Sequence, residues 1–192
     1  MTSPHNIWEG RFVRLRAIVP GDWACFHRND QDSEAARLCD AIYMPRSEEG
    51  TREWTEKEAG RRPDGDNMRL AIETLDGKLV GTIISQSCDP RNGTFKYGVA
   101  IFREHWRRGY ASDAVRTLLR YFFEELRYEK ATAQVYSFNE ASARLHERLG
   151  FKLEGRVRHM IFAQGRHHDE LIYGLLKSEY DRMQDAAPAA KP

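Results

Sequence analysis

The chain of 192 residues is 41% hydrophobic, which excludes a disordered chain. Its 30 Lys and Arg residues nearly balance its 29 Asp and Glu residues, so it lacks the basic excess typical of nucleic-acid-binding proteins. Three cysteines without Cys-x-x-Cys spacing argue against a disulfide framework and a zinc site, and no apolar run suits a membrane span or a signal peptide. We therefore expect a soluble, cytoplasmic protein with neither nucleic acid nor a membrane among its partners.

The predicted elements begin with a strand in residues 12–18, where apolar and polar residues roughly alternate. The turn Pro20-Gly21-Asp22 ends this strand and opens a helical stretch. The charged region that follows predicts two short helices, Ser33–Cys39 and Glu48–Ala59.

A three-stranded meander is expected next. The runs Met68–Thr74 and 79–86 have β-like composition, and Asp76-Gly77 between them is the strongest short hairpin signal. A second turn at residues 89–93 leads to the strand Thr94–Ile101.

The hydrophobic period then changes to that of a helix. Ser112 and Asp113 suit the first turn of this helix. Its apolar stripe is formed by Val115, Leu118, Leu119, Phe122, Phe123 and Leu126.

The C-terminal part predicts a strand at 131–137 and a helix that Asn139 caps and Gly150 stops. A closing hairpin of residues 152–163 and 168–176 follows. The Ala/Pro-rich residues 185–192 predict a disordered tail, so residues 1–184 are expected to form a single domain.

The segment that suggests chemistry joins a strand to a helix around Gly109. The first N–H groups of a helix lack internal partners and attract phosphate. Gly109 and Ala111 would let a ligand approach the backbone, and Arg107 and Arg108 add positive charge. An ordinary strand–helix connection with two solvated arginines explains this segment alone about equally well.

A second motif decides the interpretation. Residues 139–151, Asn-Glu-Ala-Ser-Ala-Arg-Leu-His-Glu-Arg-Leu-Gly-Phe, follow a predicted strand downstream of Arg107-Arg108-Gly109-Tyr110-Ala111. The pair, in this order, resembles the GNAT superfamily of acetyl-CoA-dependent N-acetyltransferases. The stretches 151–165 and 169–176 are similar to the branch with ribosomal-protein N-terminal and spermidine acetyltransferases. The resemblance implies an α/β (α+β) fold with a mixed, mostly antiparallel sheet flanked by helices, and acetyl-CoA held between splayed central strands.

The resemblance also implies roles for named residues. The acetyl group would pass directly from acetyl-CoA to a primary amine, with a backbone N–H near 99–101 holding the oxyanion. Residues 99–101 would also pair with the pantetheine arm, and loop amides would hold the pyrophosphate. The implied cofactor-binding residues are Val99, Ala100, Ile101, Trp106, Arg107, Arg108, Gly109, Tyr110, Ala111, Ser112, Asn139 and Ser142.

Several positions depart from the family pattern. Trp106 stands where Gln or Arg is frequent, and His146 stands where many members carry a Tyr that protonates the departing thiolate. His146 is therefore a candidate catalytic acid, with a solvent-facing helix residue as the alternative. Lys96 and Gln134 occupy positions where relatives carry a carboxylate base, so the general base is not identified.

Two alternatives concern a metal site and a non-catalytic function. The adjacent His167, His168 and Asp169 do not predict a metal site, because neighbouring side chains of a strand face opposite ways. The missing carboxylate base favours a non-catalytic acyl-CoA-binding or interaction module of the same fold. The acceptor is left open among a peptide N-terminus, a polyamine and a small amine metabolite or antibiotic. Relatives are often dimers, which makes a homodimer compatible with the resemblance.

Overall fold

The computed structural model describes residues 6–39, 41–62 and 64–186. The strands of this part are β1 (Val13–Arg16), β2 (Met68–Thr74), β3 (Leu79–Asp89), β4 (Thr94–Ile101), β5 (Lys130–Tyr136), β6 (Lys152–Ala163) and β7 (Arg166–Leu176). Its α-helices are α1 (Trp23–Asp30), α2 (Ser33–Cys39), α3 (Glu48–Ala59), α4 (Tyr110–Arg120), α5 (Glu140–Arg148) and α6 (Lys177–Ala186).

The strand order is β1-β2-β3-β4-β5-β7-β6. β4 and β5 pair in parallel, whereas β1–β2, β2–β3, β5–β7 and β6–β7 are antiparallel. The parallel ladder runs from Thr94 opposite Lys130 to Tyr97 opposite Ala133, after which β4 continues to Ile101. The predicted mixed, mostly antiparallel α/β fold is confirmed.

The chain forms two compact units, which are described separately. Of the described residues, the first unit comprises those up to 86 together with 98–121, and the second comprises 87–97 together with 122–186.

The first unit contains β1, β2, most of β3, the end of β4 and helices α1 to α4. Its core includes Ile18, Phe26 and Phe102, against which Trp54 of α3 packs. The apolar stripe predicted for α4 is confirmed within this unit, because Val115, Leu118 and Leu119 are buried. Since apolar positions three and four residues apart share one helix face, this stripe fixes the rotation of α4.

Two buried carboxylates of the first unit are neutralised by arginines. The guanidinium of Arg16 donates to both Asp22 oxygens at 2.8 and 2.9 Å and to Glu73 at 2.6 Å. Arg14 also donates to Glu73. Burial raises the pKa of Glu73, but the hydrogen bonds from the two arginines outweigh it and leave this pKa below its ordinary value.

The second unit holds the rest of the sheet, α5 and α6. Phe95 of β4 stacks on Phe122 with ring centroids 4.0 Å apart, and Phe123 and Tyr128 complete an aromatic core. The helix that was expected to continue to Leu126 instead ends at Arg120, and residues 121–125 form a π-helical turn. A π turn is wider than an α turn. Within it, the side chains of the consecutive residues Phe122 and Phe123 are both buried.

The described residues end on a helix, α6, that the local sequence pattern did not predict. α6 is largely polar, but Tyr180 is buried and its hydroxyl donates to Glu124 at 2.8 Å. The predicted disordered tail therefore starts too early, since residues 185 and 186 belong to α6. Residues 187–192 lie outside the described residues, and the single domain of residues 1–184 stays a prediction.

Within the described ranges, no helix has both the length and the apolar character needed to cross a membrane.

Candidate functional site

The connection from β4 to α4 has an unusual backbone. A short 3-10 turn, Arg103–His105, follows the buried Phe102. Arg107 and Gly109 then adopt left-handed conformations with φ of 60° and 82°. Such a φ suits glycine, which has no Cβ to clash with the backbone, and is uncommon for other residues. Gly109 is the N-cap of α4, which begins at Tyr110.

This backbone leaves a row of hydrogen-bond donors without protein acceptors. In the described part of the chain, none of the six consecutive N–H groups from Arg107 to Ser112 has a hydrogen-bond acceptor, and the first helical bond of α4 is from Asp113 N to Gly109 O. The helix dipole adds positive potential at the same point. Unpaired donors at a helix N-terminus form a binding site for an anion such as a diphosphate.

Trp106 fastens this loop to β4. Its indole Nε1 donates to the Ile101 carbonyl at 2.6 Å, and the guanidinium of Arg103 lies 4.8 Å from its ring centroid. Arg103 is itself held by Asp32, with one bond of 2.8 Å. Trp106 departs from the family pattern, in which Gln or Arg is frequent at this position. The structure gives this residue the role of fixing the loop that carries the donors.

Asp113, in the first turn of α4, is bound from a distant part of the chain. Its buried carboxylate accepts the backbone N–H groups of Arg11, Phe12 and Val13 at 3.0, 2.7 and 3.0 Å. The sequence predicted a first-turn acid at this position but not these partners. They lie about a hundred residues earlier, beyond the reach of a local pattern.

In the second unit, the predicted cap of α5 is confirmed. The side-chain oxygen of Asn139 accepts the N–H of Ser142 at 3.0 Å. Gly150 ends this helix with a φ of 86°, as the left-handed stop predicted from the sequence.

His146 is buried within an aromatic cluster rather than facing solvent. Its ring lies 5.3 to 5.8 Å, between centroids, from Tyr97, Phe151 and Tyr173. Nδ1 lies 2.8 Å from the Ser142 carbonyl oxygen, which can only accept, so Nδ1 carries a proton. Nε2 and the Tyr97 hydroxyl are buried without hydrogen-bond partners among the described residues.

The environment of His146 disfavours its charged form. Burial lowers the pKa of His146 below its ordinary value of 6.5, although the hydrogen bond to the Ser142 carbonyl acts in the opposite direction. The neutral ring with a proton on Nδ1 offers a lone pair at Nε2 and no second proton. These observations argue against His146 as the acid that protonates a departing thiolate.

Lys96 and Gln134, the positions expected to carry a base, lie on the face of the second unit's sheet opposite to His146. Lys96 pairs with Thr132, and Gln134 lies two residues beyond Thr132 on β5. The Gln134 amide donates to the carboxylate of Glu170 on β7 at 2.7 Å. The strand register that brings Glu170 to Gln134 cannot be read from local sequence.

The described residues contain no group of three or more His, Cys, Asp or Glu side chains arranged to hold a metal ion.

Comparison with known families decides the identity of this fold. Residues 13–152 match the family model described as the acetyltransferase (GNAT) domain. The chain belongs to the GNAT acetyltransferase family.

Three known proteins are similar to this chain. The SPbeta prophage-derived uncharacterized N-acetyltransferase YokL of Bacillus subtilis strain 168 is 38% identical over 174 residues, 91% of this chain and 95% of YokL. YdaF of the same strain, whose name proposes a ribosomal N-acetyltransferase, is 36% identical over 106 residues, 55% of this chain and 58% of YdaF. The crystal structure of a Vibrio cholerae spermidine N-acetyltransferase with CoA and spermine superposes with a TM-score of 0.75 at 24% identity, covering 88% of this chain and 97% of that one.

The family membership confirms the resemblance inferred from the two motifs, and the protein is an N-acetyltransferase of the GNAT type. Acetyl-CoA is the acyl donor of this family, and the loop's free donors suit its diphosphate. The predicted residues of β4 and the loop, Val99 to Ile101 and Trp106 to Ser112, belong to the first unit. Asn139, Ser142 and His146 belong to the second.

Proposed function

We propose that this GNAT acetyltransferase transfers the acetyl group of acetyl-CoA directly to a primary amine. The observation that carries the proposal is the row of six N–H donors from Arg107 to Ser112 without protein acceptors in the described residues. A diphosphate offers several anionic oxygens, and a helix N-terminus binds it through both hydrogen bonds and the dipole. The exposed Arg107 and Arg108 would add charge at the rim.

The rest of acetyl-CoA would be held by the residues that the family resemblance indicates. Val99 to Ile101 at the end of β4 would pair with the pantetheine arm as an added strand does. Asn139 and Ser142 would contact the same arm. A backbone N–H of Val99 to Ile101 would hold the oxyanion that forms when the amine attacks the thioester.

The acceptor would be a peptide N-terminus, a polyamine or a small amine metabolite or antibiotic. The Vibrio cholerae enzyme is named for the polyamine spermidine, and the name of YdaF refers to the ribosome. We place the reaction in the cytoplasm, as the sequence suggests, with two diffusible substrates and no metal.

The test is the release of CoA thiol from acetyl-CoA in the presence of one amine from each class. An increase with at least one class over the amine-free rate supports the proposal. Binding of acetyl-CoA without transfer to any class would favour a non-catalytic acyl-CoA-binding module instead. The absence of both binding and transfer would contradict both functions.

A further inference from the structure

Glu170 of β7 is a buried carboxylate with unusually little to stabilise it. Only 6% of the residue is exposed. One oxygen accepts the Gln134 amide at 2.7 Å, and Gln134 is its one hydrogen-bond partner among the described residues. The other oxygen has no partner in that part of the chain and is not sealed from solvent.

The other buried carboxylates of the described residues are better compensated. Glu73 has two arginines, and Asp22 has Arg16 together with a backbone N–H. Asp113 has three backbone N–H groups. Burying a charge is costly unless it is paired or fully hydrogen-bonded, so a carboxylate held by one neutral amide is an exception that needs an explanation. A cationic ligand would supply the missing partner.

The strand register places Glu170 on the sheet face where a base is expected. Gln134 lies opposite Ile172 and Tyr136 opposite Glu170, so these side chains share one face. His146 and its aromatic neighbours occupy the other face, where Tyr173 stacks on the imidazole. The carboxylate of Glu170 therefore lies beside position 134, where the Gln134 amide holds it.

We propose that Glu170 receives the acceptor as an ammonium ion and takes up its proton. The inference rests on the proposed function, because it assigns a base to that reaction. The R–NH3⁺ group transfers one proton to the Glu170 carboxylate and leaves R–NH2 and a carboxylic acid. The nitrogen lone pair then attacks the thioester carbon, the C–S bond breaks with its electrons on sulfur, and the amide nitrogen loses a second proton. One proton ends on the CoA thiol, and Glu170 returns the other to solvent.

The proposal also restricts the acceptor. A buried anion without a fixed cation selects a group that arrives positively charged, so basic alkyl amines should be preferred over weakly basic aromatic ones. Other titratable side chains on this face of the second unit include Tyr136 and Lys130 on β5, His168 two residues earlier on β7, and Lys96 on β4. Glu154 of β6 lies against Gly174 on the same face, where it pairs with Lys130. On β6, Val157 lies opposite Glu170, and the neighbouring Arg156 is bonded to Asp169.

The experiment compares wild type, Glu170→Gln and the control Glu154→Gln. Glu154 lies on β6, where its carboxylate pairs with Lys130. Glu154→Gln removes one negative charge, as Glu170→Gln does. The measured quantity is kcat/KM for the acceptor that the amine panel identifies. It is measured from pH ~7 to just above the pKa of that amine, which is ~8 for an α-amine and ~10.4 for an alkyl amine. Binding of acetyl-CoA is measured in parallel by its thermal shift.

Glu170→Gln should lose about 100-fold in kcat/KM at pH ~7, the lower part of the usual range for general acid–base catalysis. The loss should shrink as pH approaches the pKa of the amine, because a free amine no longer needs a base. Glu154→Gln should match wild type, and all three proteins should keep the acetyl-CoA shift.

Equal activity of Glu170→Gln and wild type, or a loss that does not change with pH, would overturn this inference and leave the acetyltransferase function standing. Absence of transfer by the wild type to any amine would overturn the proposed function and this inference with it. If Glu170→Gln does not fold, Glu170→Asp replaces it. Because Asp keeps a carboxylate, its pH profile should keep the wild-type shape at lower kcat/KM, and a changed shape would contradict the proposal.

Discussion

At the scale of single residues, the backbone conformation of Gly109 matters most for the proposed site. Its φ of 82° is accessible to glycine without strain, and the N–H donors lie on both sides of it. Gly77, in the turn between β2 and β3, has a similar φ of 90° and open space where a Cβ would be. Substituting each glycine in turn therefore separates the loss of stability caused by backbone strain from the loss of ligand binding.

Gly109→Ala should abolish most of the thermal stabilisation by acetyl-CoA, whereas Gly77→Ala should keep it. Both variants should lose about 1–2 kcal/mol of stability, because each places a Cβ in a left-handed conformation. Differential scanning fluorimetry with and without millimolar acetyl-CoA measures both effects. A full acetyl-CoA shift in Gly109→Ala would place the diphosphate elsewhere.

His146 links stability to pH. Its pKa is lowered in the folded protein, so below pH ~6.5 the unfolded chain binds more protons and stability falls. The wild type should therefore lose more unfolding free energy between pH ~7 and ~5 than His146→Phe does. Urea titrations at both pH values measure this difference, with His167→Phe, an exposed histidine, as the control.

The same variant tests the acid hypothesis for His146. Since the neutral ring has no proton to donate from Nε2, the kcat–pH profiles of wild type and His146→Phe should have the same shape, with water protonating the thiolate. Loss of the descending alkaline limb in the variant would instead establish the imidazolium as the donor.

At the scale of elements, the first turn of α4 is joined to the start of β1 through Asp113. One carboxylate satisfies three backbone N–H groups, and it does so in the helix whose N-terminus carries the proposed anion site. A carboxylate in the first turn also interacts favourably with the helix dipole.

Asp113→Asn should lower the unfolding free energy by about 2–3 kcal/mol, because the amide accepts fewer bonds and turns a donor toward backbone donors. Asp76→Asn, in the exposed turn between β2 and β3, should change it by less than ~0.5 kcal/mol. Urea unfolding of both variants gives the comparison. An unchanged stability of Asp113→Asn would mean that these hydrogen bonds do not hold the N-terminal segment.

At the scale of the whole molecule, a ligand that binds only the folded protein must stabilise it. Acetyl-CoA at about 100 times its Kd should add roughly 2.7 kcal/mol. For a protein of this size, that energy raises Tm by about 5–10 °C. A thermal melt at millimolar acetyl-CoA, with a nucleotide lacking the pantetheine arm as the control, measures the shift. No shift with acetyl-CoA would contradict its role as the acyl donor.

The sequence by itself determined the features that depend on neighbouring residues. Hydrophobic period and turn residues located β2 to β7 and α2 to α5, although α4 gives way to a π turn before its predicted end at Leu126. Two local motifs indicated the family and the loop at Gly109. These signals are local because a helix stripe, an Asp-Gly turn and an N-cap each involve only a few consecutive residues.

Only the tertiary structure decided the features that join distant parts of the chain. Asp113 meets residues 11–13, Gln134 meets Glu170, and Tyr180 anchors a polar C-terminal helix on Glu124. The burial that lowers the pKa of His146 comes from Tyr97, Phe151 and Tyr173 on three other segments. Strand register and side-chain burial arise from packing of the whole chain, so a buried carboxylate or a neutral histidine cannot be recognised until that packing is known.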